Sequence, residues 1–514
     1  MTFQTRRIRE EKRPRAFPWS KKKDKSTNGS TKAKTSGPSG FLKLWKKMTG
    51  TVDGKRLTIL KRVTVILLSI LLAFVLFTGV VRALVSLKVI SLTSFLNTAG
   101  SALPADKDGF TNVLLLGKGD DDHDGIDLTD TIMVASVDPE HTKSAILLSL
   151  PRDLYMLSTE KMGKGRINEL YRNYKSSLRS DGMSAAEASR ESMKELMAEL
   201  GRKLGIEIHH AVMANFSGFE QAVDAIGGVD IDVPYDIVDR EYPGPDYTYQ
   251  TFEIKAGPAH LDGATALKYA RSRHTTSDFG RSARQQQIIQ ALGGKAQEKG
   301  IIRSPGKLLS LYNILSKNVE TTMTTSELLG AAKMAQRLDR TKVISLQLSD
   351  RNGLYSSLAE PGGFLYSPPR DQFGGASVLL PVSIPEFPVT WKQVSAFVNL
   401  LIHNRTVFLN PSRIMILNAS GKRGLAATLA NELIRFDFSV ADTANASIEK
   451  QNATFIVGQT PQDGEAANWF SKLLKLPLAK DAKGLTPEEQ GQVTIVIGKD
   501  YKFTPLQDLL PATP

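Results

Sequence analysis

The chain has 514 residues, 41% of them apolar, no cysteine and a formal net charge of +13. That length allows more than one core, and the missing cysteines exclude disulfides, thiolate metal sites and a cysteine nucleophile. Nineteen Lys/Arg against four acids (Glu10, Glu11, Asp24, Asp53) put +15 into residues 1–62, which leaves the remainder at −2 by difference, so a nucleic-acid partner is not expected.

Residues 1–62 read as a basic, disordered cytoplasmic tail, because a stretch such as "KKKDKSTNGSTKAKTSGPSG" is too polar to pack. Next comes "VTVILLSILLAFVLFTGVV", nineteen residues without a charge, bracketed by Lys61-Arg62 and Arg82. As a helix it spans roughly 28 Å, close to the hydrocarbon thickness of a bilayer. The positive-inside rule leaves the N-terminus in the cytoplasm, and no small-residue cleavage site closely follows. Segment 63–82 is therefore expected to be an uncleaved, single-pass anchor in the cell membrane, with everything after it extracytoplasmic. Residues 83–107 follow as a linker.

Beyond it, "NVLLLGKG", "DTIMVASVD" and "KSAILLSLPRD" read as strands, the third ending on a Pro-Arg-Asp turn. Residues 184–204 have helical spacing behind a serine cap, and "HHAVMANFSGFEQAVDAIGGVDIDV" reads as strand, helix, strand. Interleaved elements of this kind predict an α/β sheet-and-helix domain over residues 108–381. Prolines and a short helical stretch make 382–411 a connector. A smaller C-terminal α/β domain is predicted over 412–503, from "SRIMILNASGKRGLAATLANELIRFDFSV" to "QVTIVIGKDY", with a tail at 504–514.

Two clusters of opposite sign carry the chemistry. In "ARSRHTTSDFGRSARQQQ", residues 270–287, Arg271, Arg273, Arg281 and Arg284 stand beside one acid, Asp278. The guanidinium fork suits phosphate oxygens, giving two parallel charge-assisted hydrogen bonds. If "YARSRH" is a strand, Arg271 and Arg273 share a face, whereas "FGRSARQQQ" reads as a turn into a helix with Arg281 and Gln285 one turn apart. The competing reading is a solvated basic surface. The second cluster, "GDDDHDGIDLTDT", holds Asp120, Asp121, Asp122, Asp124, Asp127 and Asp130. So many carboxylates call for a hard divalent cation, magnesium first. Asp120, Asp122, Asp124 and Gly125 also open a calcium-loop pattern, which breaks at Thr131 where a bidentate Glu belongs; a metal-free solvated loop is the third option. No G-x-S-x-G elbow, H-E-x-x-H or Walker loop occurs. A cation and clustered arginines on an exported domain point to phosphoryl or pyrophosphate chemistry, with a lipid-linked pyrophosphate as the available donor.

These stretches, in their order along the chain, resemble the LytR-CpsA-Psr (LCP) family: "NVLLLGKG", "DLTDTIMVASVDP", "LLSLPRDLY", "GRINELY", "FSGFEQAVDAIGGVDIDVP", "GPAHLDGATALKYARSRH" and "DFGRSARQQQ". Residues 412–500 resemble the LytR C-terminal domain often joined to it. The resemblance implies an apolar cavity for a polyprenyl tail with an arginine-lined mouth for its pyrophosphate. It implies a membrane-anchored phosphotransferase that moves a glycopolymer, with one phosphate, from the lipid carrier to a peptidoglycan sugar hydroxyl, aided by magnesium or manganese. On this resemblance the pyrophosphate arginines are Arg152, Arg271, Arg273 and Arg281, with Gln285 beside them, and the metal aspartate is Asp130; Arg284 of the same cluster is a further candidate for binding substrate.

Two departures follow. Leu128 stands where the family commonly has arginine, so one phosphate contact is either missing or supplied by Lys118 or Arg166. The family's G-x-D becomes Gly117-Lys118-Gly119 before Asp120, which leaves Asp120, Asp122 and His123 as candidates to complete the metal shell. The general base is unassigned: Asp153 and Asp130 are the candidates, and the alternative is a metal-assisted hydroxyl that needs none. The C-terminal domain shows no charged constellation of this kind, and a truncation ending near Asn410 is expected to keep transfer activity. The alternatives are a pyrophosphatase using water in place of the sugar, and a non-catalytic regulator that binds polyprenyl phosphate or wall polymer.

Overall fold

In the computed structural model the chain divides into residues 1–87 and 88–514. The structure describes residues 101–121, 125–244, 248–272, 278–349, 363–383, 389–447 and 451–510, all within the second unit. The basic tail and the apolar segment 63–82 lie outside them, and among the described residues no helix is long and apolar enough to cross a membrane.

In chain order the elements are β1 (Thr111–Lys118), β2 (Thr129–Asp138), β3 (Ser144–Leu150), α1 (Ile167–Ser180), α2 (Ala185–Leu204), β4 (His210–Ala214), α3 (Phe216–Ala225), β5 (Val229–Val233), β6 (Ile237–Pro243), β7 (Tyr249–Ile254), β8 (Gly257–Leu261), α4 (Gly263–Arg271), α5 (Asp278–Glu298), α6 (Pro305–Leu315), β9 (Val319–Thr321), α7 (Thr325–Gln336) and β10 (Val343–Gln347). There follow α8 (Lys392–His403), α9 (Arg405–Leu409), β11 (Ile414–Asn418), α10 (Leu425–Arg435), β12 (Val440–Asn445), β13 (Phe455–Gly458), α11 (Pro461–Leu474), β14 (Val493–Ile497) and α12 (Leu506–Leu509).

The first sheet is mixed, in the order β9-β4-β1-β2-β3-β10. The antiparallel centre β1-β2-β3 follows from short connections, and the parallel pairs β1–β4 and β3–β10 from long helical ones. Its strands are apolar on both faces, as a sheet covered on both sides must be. Leu114, Leu116, Ile132, Val134, Ile146 and Leu148 face a core shared with Leu196 and Leu200 of α2. Toward α3, α4 and α5 lies a separate small core, with Val223, Ala266, Tyr269 and Ile288 at its centre. The predicted serine cap of α2 is present: the Ser184 side chain accepts from Glu187 N, and the Glu187 side chain returns to Ser184 N, a complete capping box.

Two expectations change. The opening of "YARSRH", Tyr269 to Arg271, is helix where a strand was expected: Asp262 caps α4, its side chain accepting from Thr265 N, and Arg271 is the last residue of that helix. Ala264, Ala266, Leu267 and Ala270 favour helix, and burial of Ala266 and Tyr269 on one side fixes it. Secondly, the segment read as a connector is core. In α8, Val394, Phe397, Val398, Leu400, Leu401 and Ile402 are buried, in one continuous cluster with Phe436 of the C-terminal unit and Phe364 of the first. The rings of Phe364 and Phe397 stack at 4.5 Å, and Phe436 meets them edge-on at 5.6 and 6.0 Å. Arg405, fully buried, donates from Nη2 to Ser136 Oγ of β2 at 2.8 Å and lies over the Phe110 ring, which ties α9 to the first sheet. The C-terminal sheet, β12-β11-β14-β13, therefore stands on the same core as the first domain.

Candidate active site

A β-bulge sets the first functional side chain. Gly117 pairs with Thr131 and Lys118 with Thr129, so Asp130 is the extra residue on β2. Such a bulge re-aims its side chain. Asp130 accepts from Arg152 Nη1 at 3.2 Å and from Asn168 Nδ2 at 3.1 Å, bringing the Pro-Arg-Asp turn after β3 and the first turn of α1 to one point.

From that point a cavity of about 630 Å³ runs between the sheet and α3, α4 and α5. Its walls are mostly apolar, among them Leu115, Val212, Phe219, Leu267, Ile289, Leu292, Leu315 and Val319. The polar lining includes Lys118, Asp130, Arg152, Arg271, Arg281 and Gln285, together with the acids Asp239 and Glu241. A narrow crevice shares Asp130, Thr131, Arg152, Arg281 and Gln285 with the cavity, so these five stand on the wall between the two. Arg281 and Gln285, one turn apart on α5, share the face predicted for them. The Arg271 guanidinium lies 4.0 Å above the Phe216 ring and 5.6 Å from that of Tyr242, which holds it by cation–π contact at the cavity wall. A cationic mouth on an apolar cavity accommodates a molecule with a phosphorylated head and a long hydrocarbon tail.

The other predicted residues fall elsewhere. Arg284 is buried, with Nε donating to Tyr269 O at 2.8 Å and Nη2 donating to Ser272 O; it braces the end of α4 and lines neither space. Arg166 pairs with Glu169 and, at 3.6 Å, with Asp153, and is likewise outside the lining. Asp153 stands behind the mouth, 3.9 Å from Arg152 Nε. Asp120 turns to the start of α3, accepting from Ser217 N at 3.1 Å and Ser217 Oγ at 3.0 Å. Arg273, Asp122 and His123 lie outside the described residues. Among the described residues no group of three or more His, Asp or Glu side chains forms a ready-made metal cage.

Sequence reasoning counted Asp127 only as one carboxylate of the acidic cluster and passed over Lys175 and Asn168. The pattern held a usable signal for the aspartate, since Gly125 and Asp127 sit in a tight loop and both adopt positive φ, 87° and 62°. Asp127 accepts from Lys118 Nζ at 2.7 Å and Lys175 Nζ at 2.8 Å. Leu128 packs beneath Gly125, where an added Cβ would meet its Cδ1 at 2.8 Å. At this corner Leu128 forms an apolar plug, and a nearby cation at the cavity wall is Lys118.

Burial pushes the Asp127 carboxyl up, but the hydrogen bonds and charges of Lys118 and Lys175 outweigh it and hold it below its ordinary value. Burial likewise pulls the Lys118 ammonium down, and Asp127 more than restores it. For a carboxyl lowered on folding, the stabilisation is present above its ordinary value of 3.8 and is lost as pH falls through the lowered one. Asp127→Asn keeps a residue that tolerates positive φ and removes the charge. It is expected to cost about 1–3 kcal/mol at pH 7 and progressively less toward pH 3, measured by urea unfolding. An equal loss at both pH values would refute the pairing as the cause.

The chain matches the LytR_cpsA_psr family over residues 89–361, and LytR cell envelope-related transcriptional attenuator over residues 412–501. It is 26% identical over 437 residues to Cell wall biosynthesis protein LcpA of Corynebacterium glutamicum, covering 78% of this chain and 76% of that protein. It is 30% identical over 219 residues to the polyisoprenyl-teichoic acid–peptidoglycan teichoic acid transferase TagU of Oceanobacillus iheyensis, covering 42% of this chain and 60% of that protein. The crystal structure of Bacillus subtilis TagV superposes with a TM-score of 0.40 at 24% identity, over 57% of this chain and 97% of that one. With a family match that spans more than half of its length, the chain belongs to the LytR_cpsA_psr family.

Proposed function

We propose that this protein is a membrane-anchored phosphotransferase that moves a glycopolymer from a polyprenyl-pyrophosphate carrier to peptidoglycan. The observation that carries this reading is the junction of a mostly apolar cavity with Lys118, Asp130, Arg152, Arg271, Arg281 and Gln285 at its wall. The relatives named for transfer between a polyisoprenyl-linked polymer and peptidoglycan support it.

In this reading the acceptor hydroxyl attacks the phosphorus that bears the polymer while its proton passes to the Asp130 carboxylate, and the bond from that phosphorus to the bridging oxygen breaks. The lipid monophosphate leaves with the electron pair. Arg152, Arg271 and Arg281 take up the charge gathering on the leaving phosphate, and Gln285 orients it with an uncharged donor. Of the two candidate bases, Asp130 is the one that lines the mouth, its side chain 40% exposed, whereas Asp153 stands behind Arg152.

A divalent cation fits Asp130 as a site completed by substrate and water. Asn168 is 3% exposed, and its Oδ1 is buried without a hydrogen-bond partner. Rotating the amide would set that oxygen beside the Asp130 carboxylate. These two residues would hold magnesium, with manganese as the alternative, and the ion when bound would neutralise phosphate charge.

The test uses the full chain in detergent with a polyprenyl-pyrophosphate-linked oligosaccharide, uncrosslinked peptidoglycan and magnesium, read by mass spectrometry. A phosphodiester-linked adduct is expected, and it should be lost in Arg271→Ala. Sugar phosphate without adduct would establish a pyrophosphatase, and bound but unaltered lipid a binding protein.

A further inference from the structure

We propose that α6 and the segment leading into it, residues 299–317, form a docking surface for an anionic phospholipid bilayer. The proposal rests on the reading of residues 63–82 as a membrane anchor and adds which face of the folded unit meets that membrane.

Burial sets α6 apart. Helix α2 buries Leu196, Leu200 and Leu204 completely. Helix α6 carries Leu308, Leu309, Leu311, Tyr312, Ile314 and Leu315, yet its one buried residue is Pro305. Ile314 is 59% exposed, while its neighbour Leu315 belongs to the wall of the apolar cavity, as does Val319 just beyond. One short helix thus carries a cavity-lining residue, Leu315, next to an exposed apolar one, Ile314, among half-buried leucines.

Charge points to the same occupant. Residues 299–317 contain Lys299, Arg303, Lys307 and Lys317 and no acid, although the chain after residue 62 is slightly acidic as a whole. Arg303, Lys307 and Lys317 are exposed. Apolar side chains flanked by lysine and arginine suit the headgroup region of an anionic leaflet, where the former bury in the acyl boundary and the latter meet phosphates.

The chain path agrees with both. Ser101 N donates to Ser326 Oγ at the start of α7 at 3.0 Å, and an added Cβ at Gly330 would lie 2.1 Å from Ser101 O. Helix α7 packs against α6. The described chain therefore begins on the α6–α7 side, joined by residues 83–100 to the apolar segment.

The absence of cysteine allows a single labelled position in the full chain. Ile314→Cys, and as a control Lys483→Cys, whose side chain is 90% exposed in the C-terminal unit, would each carry an environment-sensitive fluorophore. Both proteins would be reconstituted in phosphatidylethanolamine–phosphatidylglycerol vesicles with and without a nitroxide-bearing lipid. Retention in the vesicles through a carbonate wash reports the anchor separately. The expected result is retention, with emission from position 314 quenched several-fold and that from position 483 unchanged. Retention with position 314 no more quenched than position 483, including the case where a second copy of the chain covers α6, overturns the docking surface and leaves the anchor reading standing. Release by carbonate overturns the anchor reading and the docking surface with it. Reversing charge at Arg303, Lys307 and Lys317 to glutamate should reduce the quenching severalfold in anionic vesicles. Quenching unchanged by the reversal would overturn the electrostatic part.

Discussion

Replacing Arg271 by alanine is expected to slow transfer by roughly 30- to 1,000-fold, which corresponds to about 2–4 kcal/mol of transition-state stabilisation. Its guanidinium reaches the cavity wall from the last residue of α4 and is held there by Phe216 and Tyr242, so it offers a fixed charge to a developing phosphate dianion. The stability lost with it should be about 1 kcal/mol, the worth of a cation–π contact. Arg284→Ala is expected to do the reverse. That side chain is 3% exposed and spends its donors on the carbonyls of Tyr269 and Ser272. Removing it leaves buried acceptors unpaired at a cost of about 2–4 kcal/mol of stability. Thermal unfolding and single-turnover transfer, measured on both variants, separate the two roles. An Arg284→Ala protein as stable as the wild type but as slow as Arg271→Ala would show that Arg284 meets the substrate after all.

A truncation ending near Asn410 is expected to be insoluble or molten, not an active catalytic domain. It removes Phe436, Leu433 and Phe470 from the cluster that contains Phe364, Phe397 and the apolar face of α8, and it uncovers all of those side chains at once. Phe436→Ala in the intact chain is a milder probe: a fully buried ring in contact with two others should cost about 3–5 kcal/mol. Because one core serves both parts, heat should unfold residues 101–510 in a single transition, and Phe436→Ala should lower that transition as a whole. A soluble truncation with wild-type transfer, or two separate transitions of which Phe436→Ala moves only one, would show that the parts are independent. The family matches over 89–361 and 412–501 leave α8 between them, although it is the element through which the two parts share their interior.

Much of the first domain was legible because its signals are local. The strands β1, β2 and β3 are short apolar runs between turns, and the capping box at Ser184 names the start of α2. The pairing of Arg281 with Gln285 depends only on helical spacing. The connector was misread because proline and polar residues at its margins suggest a linker, while the burial of α8 depends on partners more than thirty residues away on either side. "YARSRH" was read as a possible strand because six residues cannot show whether the pattern belongs to a helix that began at Gly263.

By itself the sequence determined the three opening strands, the start of α2, the cationic character of residues 270–287 and, through the ordered motifs, the family. Those properties are carried by neighbours along the chain. Only the tertiary structure decided which charges face the mouth. Successive residues on a helix point about 100° apart, so Arg284 turns inward to backbone carbonyls while Arg281 and Gln285 reach the cavity. The bulge that swings Asp130 toward Arg152 and Asn168 needs the register of β1 against β2. Lys118, Asp127 and Lys175 form a unit only when β1, the loop and α1 meet. The direction of a side chain and the company it keeps are settled by packing between distant segments, and a linear string of residues does not contain that information in readable form.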